Sequence, residues 1–374
     1  MKPQPGKFLI GLTGNIATGK SIVRKMLEQA GVFGIDADSL AHYVIKAGAS
    51  GYKPVLEQFG EGILNSIGEI DRRRLGKIVF NDPESLQKLE NIIHPLVREK
   101  IHELLETTPF SHIVIEAIKL FESGLSSECD TIWVSDSSQE LQINRLVYGR
   151  GMDRSSAQER ILAQPPQSLK NNMADAVINN HGSYLQTWRQ VRQAWREILQ
   201  SSRIQLYPDN PAKFNGTEIY RCNPDDAEKI LKLISRFSEG SKELYNTEAN
   251  SFLFNMHYLI YSAHSTEQAL IAWESDNFVI RVSEFFYREE KHTTELLYNI
   301  IKELDQFWPR YNPELILLRP PVKLEKNTRK LQQLGYEEIQ PGEGLFNGDW
   351  FRIPEGNNAA IWLAKKLGQM SNLS

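Results

Sequence analysis

Only two cysteines occur in 374 residues, Cys129 and Cys222, and they form neither a CxxC pair nor a Cys/His cluster. A disulfide framework and a zinc site are thereby excluded as organising devices, and two ordinary reduced thiols are expected. No apolar run approaches the ~20 residues of a membrane span. The opening MKPQPGKFLIGLTG has no charged leader, apolar core or small-residue cleavage site, so a soluble, cytoplasmic protein is expected. Charge of one sign is lacking too: 43 basic against 47 acidic residues leave a formal net charge of −4. Neither nucleic acid nor an anionic membrane is attracted in general by such a chain, and any anion site must be a local concentration of donors. Internal repeats and low-complexity tracts are also missing. What the chain does have is 41% hydrophobic and 10% aromatic content, enough over this length for two or three globular units.

Lys7 to Leu12 is a short apolar run ending near glycine, Ser21 to Ala30 has helical apolar spacing, and Val32 to Ile35 again looks like a strand. That is a βαβ opening. Ser111 to Glu116 and Thr131 to Ser135 are further strand candidates with helical stretches between them, so an α/β domain with a mostly parallel sheet is expected up to about residue 205. Between Pro208 and Gly216 the segment PDNPAKFNG collects turn residues. We therefore read 1–207 as a first domain, 208–216 as a linker and 217–374 as a second domain.

Gly14-Asn15-Ile16-Ala17-Thr18-Gly19-Lys20-Ser21 fits GxxxxGK[ST] and lies between an expected strand and an expected helix. Glycines let the backbone curl so that successive N–H groups and the helix N-terminus face the phosphates of ATP. Lys20 reaches the β/γ-phosphates, and the Ser21 hydroxyl ligates Mg²⁺. The next strand ends in Ile35-Asp36-Ala37-Asp38, placing two carboxylates at the sheet edge where ligands bind. Asp36 is our choice for the base that meets an acceptor hydroxyl. For Asp38 three readings stay open: the acceptor side, the metal's water shell, or the N-cap of a helix starting near Ser39.

GLTGNIATGKS, IDADSLAHYV, GEIDRRRLGKIVFNDPESLQKLENIIHP, LFESG, and AQ with KNNMADAVINN follow in that order. Over residues 7 to about 205 the chain thereby resembles the dephospho-coenzyme A kinases. The resemblance implies a P-loop fold of the nucleoside-monophosphate-kinase type with a helical acceptor-binding insertion and a lid. It implies ATP-dependent phosphorylation of the ribose 3′-hydroxyl of dephospho-coenzyme A, giving coenzyme A and ADP, the last step of coenzyme A synthesis. Carried across by position, Asp36 is the base, and Asp71, Arg72 and the His94-Pro95 pair belong to the acceptor-binding insertion. Guanidinium forks suit a pyrophosphate-bearing acceptor, although Arg72, Arg73 and Arg74 cannot share one helix face. A structural histidine at a helix break before Pro95 is the competing reading of His94. Lys119 and Glu122 are placed facing the cleft, in a segment where many family members have proline and leucine instead of Ile118 and Lys119.

Gln142 to Gln164 reads as helix, glycine-punctuated turn and helix, rich in arginine and suited to a lid. Arg145 and Arg150 are assigned to the transferred phosphoryl group, with Arg154 and Arg160 as further candidates. Gly149 falls where the family pattern leads one to expect a second lid arginine. Gln164, Lys170, Asp175 and Asn179 match the segment leading to the adenine, and Asn179 is assigned to ATP.

In the second domain, Glu218 to Arg221, Phe278 to Phe286 and Leu315 to Leu318 read as strands. Asp225 to Phe237, Thr293 to Trp308 and Asn327 to Leu334 read as helices. This α+β order resembles the GCN5-related acetyltransferase fold, which implies an acyl-coenzyme A or protein ligand. Tyr287 to Thr293, where that fold needs a glycine-rich pyrophosphate loop, has no glycine and two acids, so a degenerate, non-catalytic domain is expected. The aromatics Phe252, Phe254, Tyr258 and Tyr261 are read as strand core. Two other functions stay open, a P-loop kinase of another nucleoside or nucleotide and a non-catalytic nucleotide-binding regulator.

Overall fold

The computed structural model describes residues 6–201, 212–214, 216–237, 256–288, 292–321, 324, 328–339 and 362–367. Five short strands build the first sheet: β1 Phe8–Thr13, β2 Phe33–Asp36, β3 His112–Glu116, β4 Thr131–Asp136 and β5 Ala176–Asn179. Their order is β2-β3-β1-β4-β5, and all pairs are parallel. The apolar runs FLIGLT, HIVIE and TIWVSD are buried almost throughout, as a sheet covered on both faces requires. Every strand therefore delivers its carboxyl end to one edge, and the site forms there.

Helices α1 Lys20–Gln29, α2 Ala37–Tyr43, α3 Tyr52–Phe59, α4 Arg72–Asn81 and α5 Pro83–Thr107 follow in turn. Asp82 caps α5 with Pro83 at the first position, and the helix then continues for 25 residues with Pro95 inside it. The break expected after His94 does not occur. Pro95 lies on the exposed side of the helix, where the N–H it cannot supply leaves a carbonyl open to solvent rather than buried. Beyond β4 come α6 Gln139–Arg150, α7 Arg154–Leu162, α8 Gln167–Asn171 and α9 Tyr184–Ser201. The pair α6 and α7, turning at left-handed Gly151, is the expected lid.

The second sheet has eight strands: β6 Ala212–Phe214, β7 Thr217–Arg221, β8 His257–Ala263, β9 Thr266–Asp276, β10 Val279–Tyr287, β11 Leu315–Leu318, β12 Glu337–Ile339 and β13 Trp362–Lys366. They run in the order β12-β13-β11-β10-β9-β8-β7-β6. Only β10 and β11 pair in parallel among them. Helices Ala227–Phe237 and Thr293–Phe307 bury apolar faces against this sheet. Ala212–Phe214, inside the segment read as a linker, is an edge strand paired with β7. Tyr258 and Tyr261 are buried in β8 as expected, whereas Phe252, Phe254, Glu289, Glu290, Lys291 and Asn327 lie outside the described residues. Both cysteines are free thiols.

The two sheets share one apolar cluster, in which Phe33, Ile35 and Phe110 join Trp273, Phe278 and Tyr311. Phe110 and Tyr311 have ring centroids 5.5 Å apart, and Tyr43 and Phe278 4.6 Å, distances at which aromatic pairs attract beyond simple burial. Polar contacts sit inside this seam. His257 on β8, 2% exposed, meets the Glu28 carboxylate of α1 at 3.0 Å, Gln29 donates to the Met256 carbonyl, and Trp188 on α9 donates to Asp225. Pairing offsets part of the cost of burying these groups, although His257 Nδ1 and Gln29 Oε1 are buried without a hydrogen-bond partner among the described residues.

Candidate active site

The phosphate loop starts where β1 ends. Gly14 and Gly19 have φ of +148° and +99°, in or near the region closed to most side chains. A Cβ would lie 2.4 Å from the Ser135 carbonyl oxygen at Gly14 and 1.8 Å from Asn180 Nδ2 at Gly19. No side chain caps α1 and its first turn carries no acid, so the positive end of its dipole faces the loop.

The loop is held from outside by residues of the later segments. Gln164 Oε1 accepts from the Ile16 N–H at 2.7 Å and Gln167 Oε1 from the Asn15 N–H at 2.9 Å, while Asn15 Nδ2 donates to the Pro165 carbonyl. From α6, Arg145 donates to the carbonyls of Ala17, Thr18 and Asn180 and to the Ser137 hydroxyl. Its guanidinium thus braces the loop rather than pointing into the cleft. Arg150 is exposed at the end of α6 and its charge reaches Lys20, as a lid cation should. Arg154 instead pairs with Glu140 on the surface, and Arg160 is exposed. The loop's own Ile16 and Ala17 pack on the lid residues Ile143, Leu146 and Ala157.

Lys20 donates to the Gly14 and Asn15 carbonyls at 3.0 and 3.2 Å. Burial lowers its pKa, opposed by the charges of Glu116 and Asp38 and assisted by those of Lys170 and Arg150. Five charged groups from five segments therefore converge. Ser21 Oγ donates to Glu116 Oε1 at 2.8 Å, and Glu116 Oε2 accepts from Arg24 Nε at 2.7 Å. Arg24 also meets Glu28 at 2.6 Å and Asp36 at 3.7 Å. Glu116 was not singled out from the sequence, although a carboxylate on the last residue of a buried strand was the available signal.

Asp36, expected as the base, caps α2 by accepting the Ser39 N–H at 2.9 Å and leans on Arg24. The cap expected of Asp38 therefore belongs to Asp36. Asp38 opens onto the cleft, with Oδ2 3.3 Å from the Ile118 N–H. Desolvation by the cleft walls, and next the charge of Asp36, raise its pKa to about 6 against the attraction of Lys20. A carboxylate poised in that range beside the phosphate-loop lysine suits proton abstraction.

On the acceptor side, Lys170 donates to the Ile118 carbonyl at 2.6 Å, and its pKa is lowered by burial against Glu122 and Asp38. Lys119 pairs with Glu90 of α5. His94 is half-buried, and burial lowers its pKa while Glu90 and Glu122 oppose. Lys119 and Glu122 thus lie within charge range of both His94 and Lys170, and Lys170 in turn within that of Asp38. Asp71 is engaged as the cap of α4, accepting from the Arg73 and Arg74 N–H groups. Arg72 opens that helix, exposed, with its charge reaching His42 on α2. Neither joins the Lys20 cluster. On the nucleotide side, Asn179 is exposed and its backbone is tied to Gln190. It is the buried neighbour Asn180 that donates to the Thr18 carbonyl at 3.1 Å. Among the described residues no group of three or more His, Cys, Asp or Glu is arranged to hold a metal ion.

A phosphate loop after the central strand of a five-stranded parallel sheet, an acidic β2 end, a helical insertion and a two-helix lid define a P-loop kinase. The family model for dephospho-CoA kinase matches residues 8–186. A dephospho-CoA kinase of Geobacillus kaustophilus is 43% identical over 185 residues, covering 49% of this chain and 92% of that relative. The chain belongs to the dephospho-CoA kinase family. A Thermus thermophilus structure, TT1252, is 30% identical, with 52% of this chain and 98% of that one covered and a TM-score of 0.48. An acetyltransferase from Streptococcus agalactiae is 17% identical, with 41% and 100% covered and a TM-score of 0.30.

Proposed function

We propose that the chain transfers the γ-phosphoryl group of ATP to the ribose 3′-hydroxyl of dephospho-coenzyme A, releasing ADP and coenzyme A in the cytoplasm. The observation that carries the mechanism is the placement of the Asp38 carboxylate at the β2 end, 3.3 Å from the Ile118 N–H and within range of the charge of Lys20, which itself rests on the Gly14 and Asn15 carbonyls of the phosphate loop. The phosphate loop's N–H groups and Lys20 hold the ATP phosphates, Lys20 exchanging its contacts with Gly14 and Asn15 for phosphate oxygens. Asp38 takes the proton of the 3′-hydroxyl as the new O–P bond forms and the bond to the ADP oxygen breaks. Arg150 and Lys170 add positive charge where negative charge spreads over the transferred group. Asp36 sets the entry of α2 and so aims Asp38.

The Ser21 hydroxyl and the Glu116 carboxylate, hydrogen-bonded to each other, form an oxygen donor set that fits Mg²⁺. The ion would be held mainly by phosphates and these few protein groups. Bound there, Mg²⁺ would supply positive charge against the phosphates.

The test is an acceptor panel with Mg-ATP, in which dephospho-coenzyme A is compared with adenosine, other nucleosides and nucleoside monophosphates. Turnover confined to dephospho-coenzyme A is expected. Turnover of a nucleoside with none of dephospho-coenzyme A would replace this reading with a kinase of another acceptor.

A further inference from the structure

We propose that the second sheet is the outer brace of the kinase's carboxylate strand, with Asn277 as a positioning residue that fixes Asp36 and, through it, Asp38. The inference rests on the kinase reading above, in which Asp38 is the base.

Strand β2 is the edge of the first sheet, so one side of its backbone lacks a strand partner and must be satisfied otherwise. At Asp36 both backbone groups on that side go to one carboxamide. The Asp36 N–H donates to Asn277 Oδ1 at 2.9 Å, and Asn277 Nδ2 donates to the Asp36 carbonyl at 3.1 Å. A neighbouring strand would supply the same two bonds. Asn277 occupies the tip of the β9–β10 hairpin with φ +46°, a left-handed conformation that asparagine tolerates better than most residues.

The next residue fastens the other end of the same segment. Phe278 packs on Tyr43, the last residue of α2. The Phe278 carbonyl accepts from the Glu314 N–H at 2.7 Å, and the Glu314 carboxylate accepts from the Tyr43 hydroxyl at 2.5 Å. Asp36 and Tyr43 thus bracket Asp38, both held by one hairpin and the start of β11. The Geobacillus kaustophilus relative, 92% of which matches within half of this chain, has no room for this sheet. The brace is therefore a feature of this chain and not a requirement of the family's chemistry. Its effect should be a tuning of base geometry, where small displacements cost rate.

The experiment uses the full chain and three variants. Asn277→Ala removes the clasp. Asn277→Asp leaves an acceptor for the Asp36 N–H but loses the donor to the Asp36 carbonyl and adds a charge at the end of β2 that carries Asp36 and leads to Asp38. Asn312→Ala is the control, because Asn312 has φ +51° in the same seam but donates to Thr107 on α5, away from β2. For Asn277→Ala we expect kcat to fall about 10-fold with the KM for ATP changed by less than about twofold. Hydrogen exchange at the Asp36 amide should accelerate. Asn277→Asp should move the acid limb of the kcat/KM profile to higher pH, since a second negative charge disfavours ionised Asp38. Asn312→Ala should leave kcat and the pH profile as in the parent. The brace is overturned by a parent-like kcat, pH profile and Asp36 exchange rate in Asn277→Ala, or by Asn312→Ala reproducing the same kinetic loss. Asp38→Asn, assayed alongside, separates the two claims: full activity there would remove Asp38 as base while leaving the effect of Asn277 on kcat measurable.

Discussion

Replacing His257 by glutamine should flatten the acid side of the stability profile while leaving stability at pH 7.5 little changed. His257 lies fully inside the seam between the sheets, with Nε2 3.0 Å from Glu28 Oε2. Burial lowers its pKa, opposed by the hydrogen bond and charge of Glu28 and supported by the charges of Arg221 on β7 and Lys25 on α1. The direction we take is that of burial: a neutral imidazole donating Nε2–H to the carboxylate. Its folded pKa then lies below its unfolded value of about 6.5. As pH falls below that value the unfolded chain binds a proton that the folded chain does not, and stability declines. One such group contributes a slope of up to about 1.4 kcal/mol per pH unit. Glu28 does not confuse this window. Burial alone would raise its pKa, but the charge of Arg24 and the hydrogen bond from His257 hold it below its ordinary value, so its contribution is lost as pH falls through and below the ordinary carboxylate range, beneath the window tested. Glutamine keeps an N–H donor for Glu28 and cannot be protonated. Urea unfolding of the parent and of His257→Gln at half-unit steps from pH 7.5 to 5 should therefore show curves that converge or cross, with the variant less steep by roughly 1 kcal/mol per unit. Equal slopes in both proteins would refute a neutral buried imidazole at this position.

Asp38→Asn should lower kcat by at least ~100-fold and abolish the acid limb near pH 6, whereas Asp36→Asn, which keeps an oxygen for the Ser39 N–H, should lose less; the kcat/KM profile of each variant decides between them. Gly19→Ala should abolish nucleotide binding, measured by calorimetric titration, because the new Cβ collides with Asn180 and the φ of +99° suits only glycine. Gly149→Ala meets open space inside α6 and should stabilise the protein by up to about 1 kcal/mol with unchanged turnover, read from urea midpoints and the kinase assay.

Local signals carried the first domain far. The phosphate loop, the strands around it and the lid are written in glycine spacing and apolar runs; the structure places the strands within a residue of their expected bounds and starts the lid at Gln139, three residues before its expected start. Roles within the acidic strand end were less legible. Asp36 and Asp38 both suit capping and catalysis by residue type, and only the direction of Arg24 and of the Ser39 N–H separates them. The same holds for Asn179 and Asn180, adjacent and chemically identical, of which one faces the loop and the other solvent. Strand β9 went unread because its hairpin turns through His264 and Ser265, both with positive φ, in place of the Asn-Gly pair that usually announces such a turn. The seam between the sheets was invisible for a different reason. His257, Asn277 and Glu28 are ordinary polar residues in sequence, and their partners lie 229 and 241 positions away. Pro95 misled because proline ends helices only where its missing N–H or its ring has no accommodation.

The most direct test of the central claim is a coupled assay of ADP release with Mg-ATP and dephospho-coenzyme A, with the product identified by mass and Lys20→Ala run beside the parent. The account predicts stoichiometric coenzyme A and ADP from the parent and neither from Lys20→Ala. Nucleotide binding by the parent without formation of coenzyme A would contradict it and leave the chain a nucleotide-binding regulator.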